Sequence, residues 1–216
     1  ELSLKLKTSL DESLSNDRKI SKWLLGLEGL SGRKYRTLIN NLINKIEKPS
    51  YLEIGTWLGS TACSACFRNN LKITCIDNWS QNFTGVNDPK VKFINNIEKC
   101  ISNKSQFKLI SKDFRKINFK EIGKFNIFLY DGPHHLEDHF DGIKIVQPAL
   151  LDKYILIIDD WNWDQVRAGT KKAFNELNLK IISKLEIRTT SDGSNALLSG
   201  ENSDWHQGYC FFVIKK

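Results

Sequence analysis

Three carboxylates come directly after two apolar segments of this chain. Asp131 follows one predicted strand, and Asp159 and Asp160 follow the next. Neighbouring parallel strands end at the same edge of a sheet, so we expect the three side chains to meet. Like charges in one place repel each other unless a positive charge lies between them, and hard oxygen ligands suit Mg²⁺, Mn²⁺ or Ca²⁺. The pattern favours a divalent-cation site, although the same acids could instead cap the helices that follow.

Histidines lie between these acids in the sequence. A zinc hydrolase would use them as ligands together with a bound water, but it would leave the glycine turn at Gly55 without a role. His134 and His135 are better explained as a general base or a substrate contact beside the cation. His139 lies one helical turn beyond His135 and is interpreted as a solvated helix residue.

A glycine turn follows the first predicted strand. The segment Glu53-Ile-Gly55-Thr-Trp-Leu-Gly59-Ser60 places one glycine directly after the strand and a second at the expected start of a helix. Glycine permits a tight turn and a close approach of the backbone to a ligand, and the free N–H groups of the helix can face a polar group. The spacing G-x-x-x-G differs from the G-x-G-x-x-G of dinucleotide-binding folds.

Acidic residues also follow the next two strands. Asp77 lies 22 residues after Gly55, where a carboxylate can bind ribose hydroxyls across the sheet. Asp113 could accept a hydrogen bond from an adenine amino group or could cap the next turn, and both remain open. Trp79 could cover the face of an adenine, with a core or loop position as the alternative.

Together these residues resemble the motif series of class I S-adenosylmethionine-dependent methyltransferases, over about residues 31–216. In that family the glycine turn holds the methionine part of the cofactor, and the acid after the second strand holds the ribose. The chain looks most like the metal-assisted O-methyltransferases of the macrocin and catechol type, whose metal ligands follow the same strands. This resemblance implies a divalent metal, with Mg²⁺ expected, on Asp131, Asp159 and Asp160, and Asn162 is a substitute ligand. The implied cofactor contacts are Glu53, Gly55, Thr56, Gly59, Ser60, Asp77, Asn78, Trp79, Asp113 and Asp131.

Alternating apolar segments and helical patterns would position these residues. A helix is predicted from a Ser31 cap to about Ile46. The alternation predicts an α/β, three-layer Rossmann-like fold, with a mostly parallel seven-stranded sheet that ends in a C-terminal antiparallel hairpin. Residues 1–30 are predicted to be an N-terminal helical extension and residues 31–216 the methyltransferase domain. Strands are predicted at 51–54, 73–76, 107–110, 125–130, 154–158, 180–188 and 209–214.

Composition indicates an ordinary globular protein. The chain has 216 residues, of which 40% are apolar, and a net charge of +7. No apolar run is long enough to span a bilayer and no signal peptide is visible, so a cytoplasmic location is expected. The five cysteines are interpreted as mostly buried thiols, with a redox role for Cys63 and Cys66 as the less favoured alternative. The sequence leaves the oligomeric state open, and a homo-oligomer is one of the alternatives.

The acceptor is expected to be a small molecule or a sugar hydroxyl. The segment 205–208 and residues 1–30 would shape its pocket, unless 205–208 is only a connecting loop. A nucleic-acid partner is not favoured, because Lys and Arg are scattered and the N/D-P-P-Y/F string of many amino-methylating enzymes is absent after the fourth strand. An RNA methyltransferase and a nicotinamide-dependent oxidoreductase remain as alternatives, and so does a cofactor-binding module without catalysis.

Overall fold

The computed structural model describes residues 1–15, 20–81, 83 and 85–216. Among these residues seven strands form one sheet, in the order β3-β2-β1-β4-β5-β7-β6. The strands are β1 (Ser50–Ile54), β2 (Lys72–Ile76), β3 (Gln106–Ile110), β4 (Phe125–Tyr130), β5 (Leu150–Ile158), β6 (Lys180–Ile187) and β7 (Tyr209–Lys215).

The register of the sheet brings the ends of the central strands together. β1 pairs in parallel with β2 and β4, and β4 pairs in parallel with β5. The backbone N–H of Asp131 donates to the carbonyl of Ile54, and that of Asp159 donates to the carbonyl of Tyr130. β7 lies antiparallel between β5 and β6. These pairings confirm the predicted fold, including the C-terminal antiparallel pair.

Helices cover both faces of the sheet because side chains alternate between the faces along each strand. On β1, Tyr51 packs into one hydrophobic core with α1, α3, α4 and α5, whereas Leu52 packs into the other with α6 and α7. The helices are α1 (Leu2–Leu14), α2 (Lys22–Leu25), α3 (Arg33–Lys45), α4 (Ser60–Cys66), α5 (Pro89–Glu98), α6 (Leu136–Val146) and α7 (Asp164–Glu176).

The start of α3 differs from the prediction. Gly32, in an extended conformation, is the residue before the helix, so Ser31 is not its cap. The Ser31 hydroxyl instead lies 2.7 Å from the Ser60 hydroxyl and accepts a hydrogen bond from Arg36 Nε. Because the Ser31 hydroxyl bonds to Ser60 and Arg36, it does not cap the backbone N–H groups at the start of α3.

The N-terminal segment belongs to the same packed body. α1 lies against α3 and β6, and Leu6 is buried in the core beneath it. The predicted division at residue 30 stays a prediction, and residues 16–19 of the predicted extension lie outside the described residues.

A buried arginine shapes the segment between α2 and α3. Arg36 has no exposed surface, and burial lowers its pKa to about 10. Its guanidinium donates hydrogen bonds of 2.7 to 3.2 Å to the carbonyl oxygens of Leu24, Leu25, Leu27, Gly29 and Ser31. The side chain therefore satisfies the free carbonyls at the end of α2 and fixes the segment that carries Leu30.

All five cysteines are buried and free, which confirms their interpretation as buried thiols. Cys63 and Cys66 lie on α4, and burial raises the pKa of the Cys66 thiol. Within the described part of the chain, no helix has the length and apolar character needed to cross a membrane.

Candidate active site

A cavity of about 470 Å³ opens at the carboxyl ends of the central strands. Its volume lies within the range of small-molecule sites, roughly 300–1,000 Å³. Gly59 and Trp79 do not line the cavity. Eight of the ten predicted cofactor contacts do: Glu53, Gly55, Thr56, Ser60, Asp77, Asn78, Asp113 and Asp131.

Both glycines of the first turn have positive φ angles and close neighbours. Gly55 has φ +87°, and a Cβ there would lie 1.7 Å from the carbonyl oxygen of Asp131. Gly59 has φ +83°, precedes α4, and would place a Cβ 2.6 Å from the ring of Phe93. The first glycine therefore lets the loops after β1 and β4 approach each other, and the second lets α4 begin beside α5.

Asp77 joins two loops of the cavity wall. One carboxylate oxygen accepts the backbone N–H of Trp57 at 2.7 Å, and the other accepts that of Trp79 at 2.7 Å. Burial raises the pKa of Asp77. A carboxylate has about four lone-pair positions, so Asp77 can still accept hydrogen bonds from ribose hydroxyls.

The aromatic residue at this end of the cavity is not the predicted one. The Trp79 indole donates to the carbonyl of Trp57 at 3.0 Å, and its ring packs 5.9 Å from Phe93. Phe83 lines the cavity instead, edge-on to Trp57 at 5.5 Å between ring centroids. Phe83 lies in a polar stretch without strand or helix pattern, so no signal in the sequence pointed to it.

Asp113 takes the capping role that the sequence allowed, and its contact with adenine stays a prediction. It lines the cavity, and one carboxylate oxygen accepts the backbone N–H of Arg115 at 2.9 Å to begin the 3₁₀ turn Phe114–Lys116. The second oxygen stays available to a ligand.

The three predicted metal-binding acids lie together, and Asp159 and Asp160 are buried whereas Asp131 is half-buried. Asp159 and Asp160 are 1% and 4% exposed. Burial, followed by the charges of Asp159 and Asp160, raises the pKa of Asp131 well above its usual range. Burial and the charge of Asp160 do the same for the pKa of Asp159. One oxygen of Asp159 accepts the Asp160 N–H at 2.7 Å, but no described residue donates to the other.

Two imidazoles approach this acid cluster. Ligand atoms of Asp131, His134 and Asp160 lie within 4.8 Å of one another, and so do those of Asp159, Asp160 and His206. The shared residue is Asp160, which has the left-handed backbone angle φ +53°. Strained backbone of this kind is concentrated at functional sites.

His134 and His135 have different surroundings. His134 lines the cavity, and its Nδ1 lies 3.3 Å from Asp160 Oδ2. The His135 side chain is exposed and does not line the cavity, and its backbone N–H donates to Asp138 at the start of α6. Of the two predicted catalytic histidines, the structure brings His134 to the acids.

The expectation that His139 is a solvated helix residue was wrong. His139 is 1% exposed, its ring packs 4.7 Å from that of Tyr130, and burial lowers its pKa to about 3. Gly169 on α7 causes this burial, because a Cβ there would lie 2.9 Å from His139 Cβ. The close contact between α6 and α7 encloses the imidazole.

The loop between β6 and β7 closes the far end of the cavity. Of the segment 205–208, His206 and Gln207 line the cavity and Trp205 and Gly208 do not. Leu30, Trp163, Asn195 and Ser199 line it as well. Asn162, named above as a substitute ligand, is fully buried. Its amide oxygen accepts the N–H groups of Thr189 and Thr190, and its amide nitrogen donates to the Thr189 hydroxyl. Both lone-pair positions of that oxygen are engaged, so Asn162 holds the loop in place.

The raised pKa of the buried Glu53 carboxyl predicts that the stability of the fold depends on pH. It is 1% exposed, the Tyr51 hydroxyl donates to it at 2.5 Å, and burial raises its pKa to about 7. An acid whose folded-state pKa lies above its unfolded value stabilises the fold at low pH. That contribution is lost as the pH rises from about 4.5 to about 7 and is constant above this range.

We expect Glu53→Gln to weaken this dependence, because glutamine resembles the protonated carboxyl. In urea unfolding with a chelator, the variant should gain about 1–3 kcal/mol over the wild type between pH 5 and pH 8. Glu47→Gln, at an exposed position, serves as the control. An equal pH dependence in Glu53→Gln and the wild type would show that the Glu53 pKa is not raised.

Comparisons with known proteins assign a family to this chain. A profile of a family described as a methyltransferase domain matches residues 52–161. A search of curated protein sequences gave no match.

Several solved structures share the fold. The O-methyltransferase from Bacillus cereus, in complex with S-adenosylhomocysteine, has a TM-score of 0.59 at 11% identity, over 98% of this chain and 91% of that one. A proposed RNA methyltransferase from Pyrococcus horikoshii has a TM-score of 0.55 at 13% identity, over 99% and 98%. A proposed S-adenosylmethionine-dependent methyltransferase from Streptococcus mutans has a TM-score of 0.57 at 14% identity, over 85% of this chain and 48% of that one. The chain thus spans about half the length of the Streptococcus protein. At these identities the likeness shows the fold alone.

Proposed function

Because this chain belongs to the methyltransferase-domain family, we propose that it transfers the methyl group of S-adenosylmethionine to a hydroxyl group with the help of a divalent cation. The observation that carries this proposal is the position of the acid cluster. Asp131 and Asp160 line the same cavity as Gly55 and Asp77. One cavity therefore offers a cofactor end and a cation end side by side.

The lining residues at the cofactor end suit the polar groups of the methyl donor. The Gly55 turn and the free N–H groups at the start of α4 would hold the methionine part. Asp77 would hold the ribose, and Asp113 with Phe83 would hold the adenine. The Bacillus cereus enzyme of the same fold is in complex with S-adenosylhomocysteine, which supports this choice of cofactor.

The acid cluster fits a hard divalent cation. Asp159 has a buried oxygen without a hydrogen-bond partner among the described residues. Burial and the neighbouring carboxylates raise the pKa values of Asp131 and Asp159, so a cation between them would stabilise their charged forms. Asp131, Asp159 and Asp160 would hold Mg²⁺ or Mn²⁺ through oxygen ligands. A bound divalent cation lowers the pKa of a hydroxyl group and fixes its direction.

His134 is the residue best placed to take the acceptor proton. Its Nδ1 lies 3.3 Å from Asp160 Oδ2, but the two atoms do not meet the geometry of a hydrogen bond. A rotation of the ring would let an Nδ1–H donate to Asp160 and would leave the lone pair on Nε2 for the acceptor proton. The acceptor would lie against Trp163, Asn195 and Gln207, whose mixed aromatic and amide surface suits a hydroxylated small molecule or a sugar.

A labelled methyl-transfer assay tests this function. The protein is incubated with methyl-labelled S-adenosylmethionine and either a panel of phenols and sugar derivatives or total RNA, with a chelator or with Mg²⁺. We expect label on a small hydroxyl compound, lost with the chelator and restored by Mg²⁺. Transfer at an equal rate in the chelator would contradict the role of the cation.

An RNA methyltransferase is the second candidate. The net charge of +7 and the shared fold of the Pyrococcus horikoshii protein favour it. In that case label would appear on RNA, and filter binding of RNA would weaken steeply with salt because phosphate contacts release counterions. Because the chain matches a methyltransferase-domain family, we no longer retain the alternative of a nicotinamide-dependent oxidoreductase. A cytoplasmic location and a homo-oligomer stay predictions.

A further inference from the structure

His206 is a buried histidine that the proposed reaction leaves without a role. It lies just before β7, is 6% exposed and lines the cavity. Its backbone has φ +43°, in the left-handed region that non-glycine residues seldom adopt. The Ser203 hydroxyl accepts its N–H at 2.9 Å, and the Thr189 hydroxyl donates to its carbonyl at 3.1 Å. The surrounding loop therefore holds this residue in a strained but well-defined position.

A backbone hydrogen bond fixes the protonation pattern of the His206 ring. The N–H of Gly200 donates to His206 Nδ1 at 2.9 Å, in a buried position. A backbone N–H only donates, so Nδ1 must carry a lone pair and the ring proton must lie on Nε2. A flipped ring would place a carbon opposite Gly200 and leave a buried N–H without an acceptor, which is costly.

The protonated nitrogen faces the acid cluster. His206 Nε2 lies 3.7 Å from Asp160 Oδ1, while His134 approaches the other oxygen of the same carboxylate. A metal-binding histidine has the opposite arrangement: a lone pair faces the ion, and the other ring nitrogen donates a proton to a carbonyl or carboxylate. In His206 the nitrogen that faces the acids bears the proton, although Asp159, Asp160 and His206 are close enough to hold an ion.

We propose that His206 is not a ligand of the cation but a positioning residue, whose Nε2–H attracts the Asp160 carboxylate as a dipole from 3.7 Å, outside hydrogen-bond distance. This proposal rests on the proposed function only where it concerns the cation. Its consequence is that the cation is held by oxygen atoms of the acid cluster, a set that favours Mg²⁺ or Mn²⁺ over zinc.

Two substitutions test the roles of the two ring nitrogens of His206 separately. His206→Asn places an amide oxygen near the position of Nδ1, so it can keep the Gly200 bond but loses the donor toward Asp160, and asparagine tolerates the positive φ angle. His206→Gln places an amide nitrogen near the position of Nε2 and keeps the donor. In calorimetric titration with MnCl₂, we expect Mn²⁺ affinity to fall about tenfold in His206→Asn and to stay within a few-fold of the wild type in His206→Gln. Equal affinities in all three proteins would overturn the positioning role.

Nitrogen NMR tests the same proposal without any reaction. The chain has four histidines, so long-range ¹H–¹⁵N spectra of the labelled protein can be assigned with His206→Gln. We expect the Nε2–H form of His206 in the metal-free protein and again after addition of MgCl₂ or ZnCl₂. A protonated Nδ1, or a metal-bound Nε2, would overturn the proposal. Failure of the proposed methyl transfer would leave this spectrum unchanged, so the two failures are distinguishable.

Discussion

Asp131→Ala should abolish methyl transfer while leaving the affinity for S-adenosylhomocysteine within a few-fold of the wild type. The Asp131 carboxylate belongs to the acid cluster, whereas the glycine turn and Asp77 are the main expected cofactor contacts. A bound cation contributes several kcal/mol of transition-state stabilisation, so its loss should lower turnover by about a thousandfold or more. A turnover assay and calorimetry with S-adenosylhomocysteine measure the two effects separately.

The same variant should not be destabilised when metal is absent. Burial and two neighbouring carboxylates raise the pKa of Asp131, so the alanine removes an unfavourable group from the metal-free protein. Its free energy of unfolding in a chelator should equal or exceed that of the wild type. Asp152→Ala, an exposed acid on β5, is the matched control and should keep full turnover. Full metal-independent activity in Asp131→Ala would show that the cation mechanism is wrong.

Gly55→Ala should destabilise the fold and remove cofactor binding together. The new Cβ would lie 1.7 Å from the carbonyl oxygen of Asp131, and alanine is unfavourable at φ +87°. Left-handed strain and overpacking together should lower the free energy of unfolding by about 2–5 kcal/mol. Relief of the clash requires the loops after β1 and β4 to move apart, which opens the cofactor end of the cavity.

Gly85→Ala is the control for backbone strain alone. Gly85 has φ +66°, but no other described atom lies within 4 Å of a Cβ there. We expect a loss of about 1–2 kcal/mol with cofactor binding retained. Urea unfolding and titration with S-adenosylhomocysteine measure both variants. If both variants lose the same stability, the close approach of Gly55 to Asp131 does not occur in solution.

Strand positions were readable because buried parallel strands are short apolar runs. β4 was predicted with its observed bounds, and β1, β2 and β3 each begin one residue earlier than predicted. β5 begins four residues earlier than predicted, at Leu150. Its first part contains exposed residues such as Asp152, which lie outside the apolar run that marked the strand in the sequence. The order of the strands places the site, since it brings Asp131 and Asp159 to adjacent strand ends.

The remainder of the site depends on tertiary contacts that leave no local pattern. His139 was predicted to be solvated because its burial depends on a distant residue. Gly169 on α7 has no side chain and so lets α7 pack closely against α6 at His139. His206 lies 46 residues after Asp160 in a polar loop, and the two are brought together by the pairing of β5 with β7 and by the hydrogen bonds of Asn162 and Thr189. A signal was present at Gly208, where φ is +82° and a Cβ would meet the carbonyl of Ile187 at 2.6 Å, but a single glycine does not reveal its partner.

Calorimetric titration of the purified protein with S-adenosylhomocysteine, with and without Mg²⁺, tests the central claim most directly. The cofactor end of the cavity is formed by the Gly55 turn and Asp77, neither of which needs the cation. We therefore expect saturable one-to-one binding in both conditions. Absence of binding in both conditions would contradict the assignment of this cavity to S-adenosylmethionine and, with it, the proposed methyl transfer.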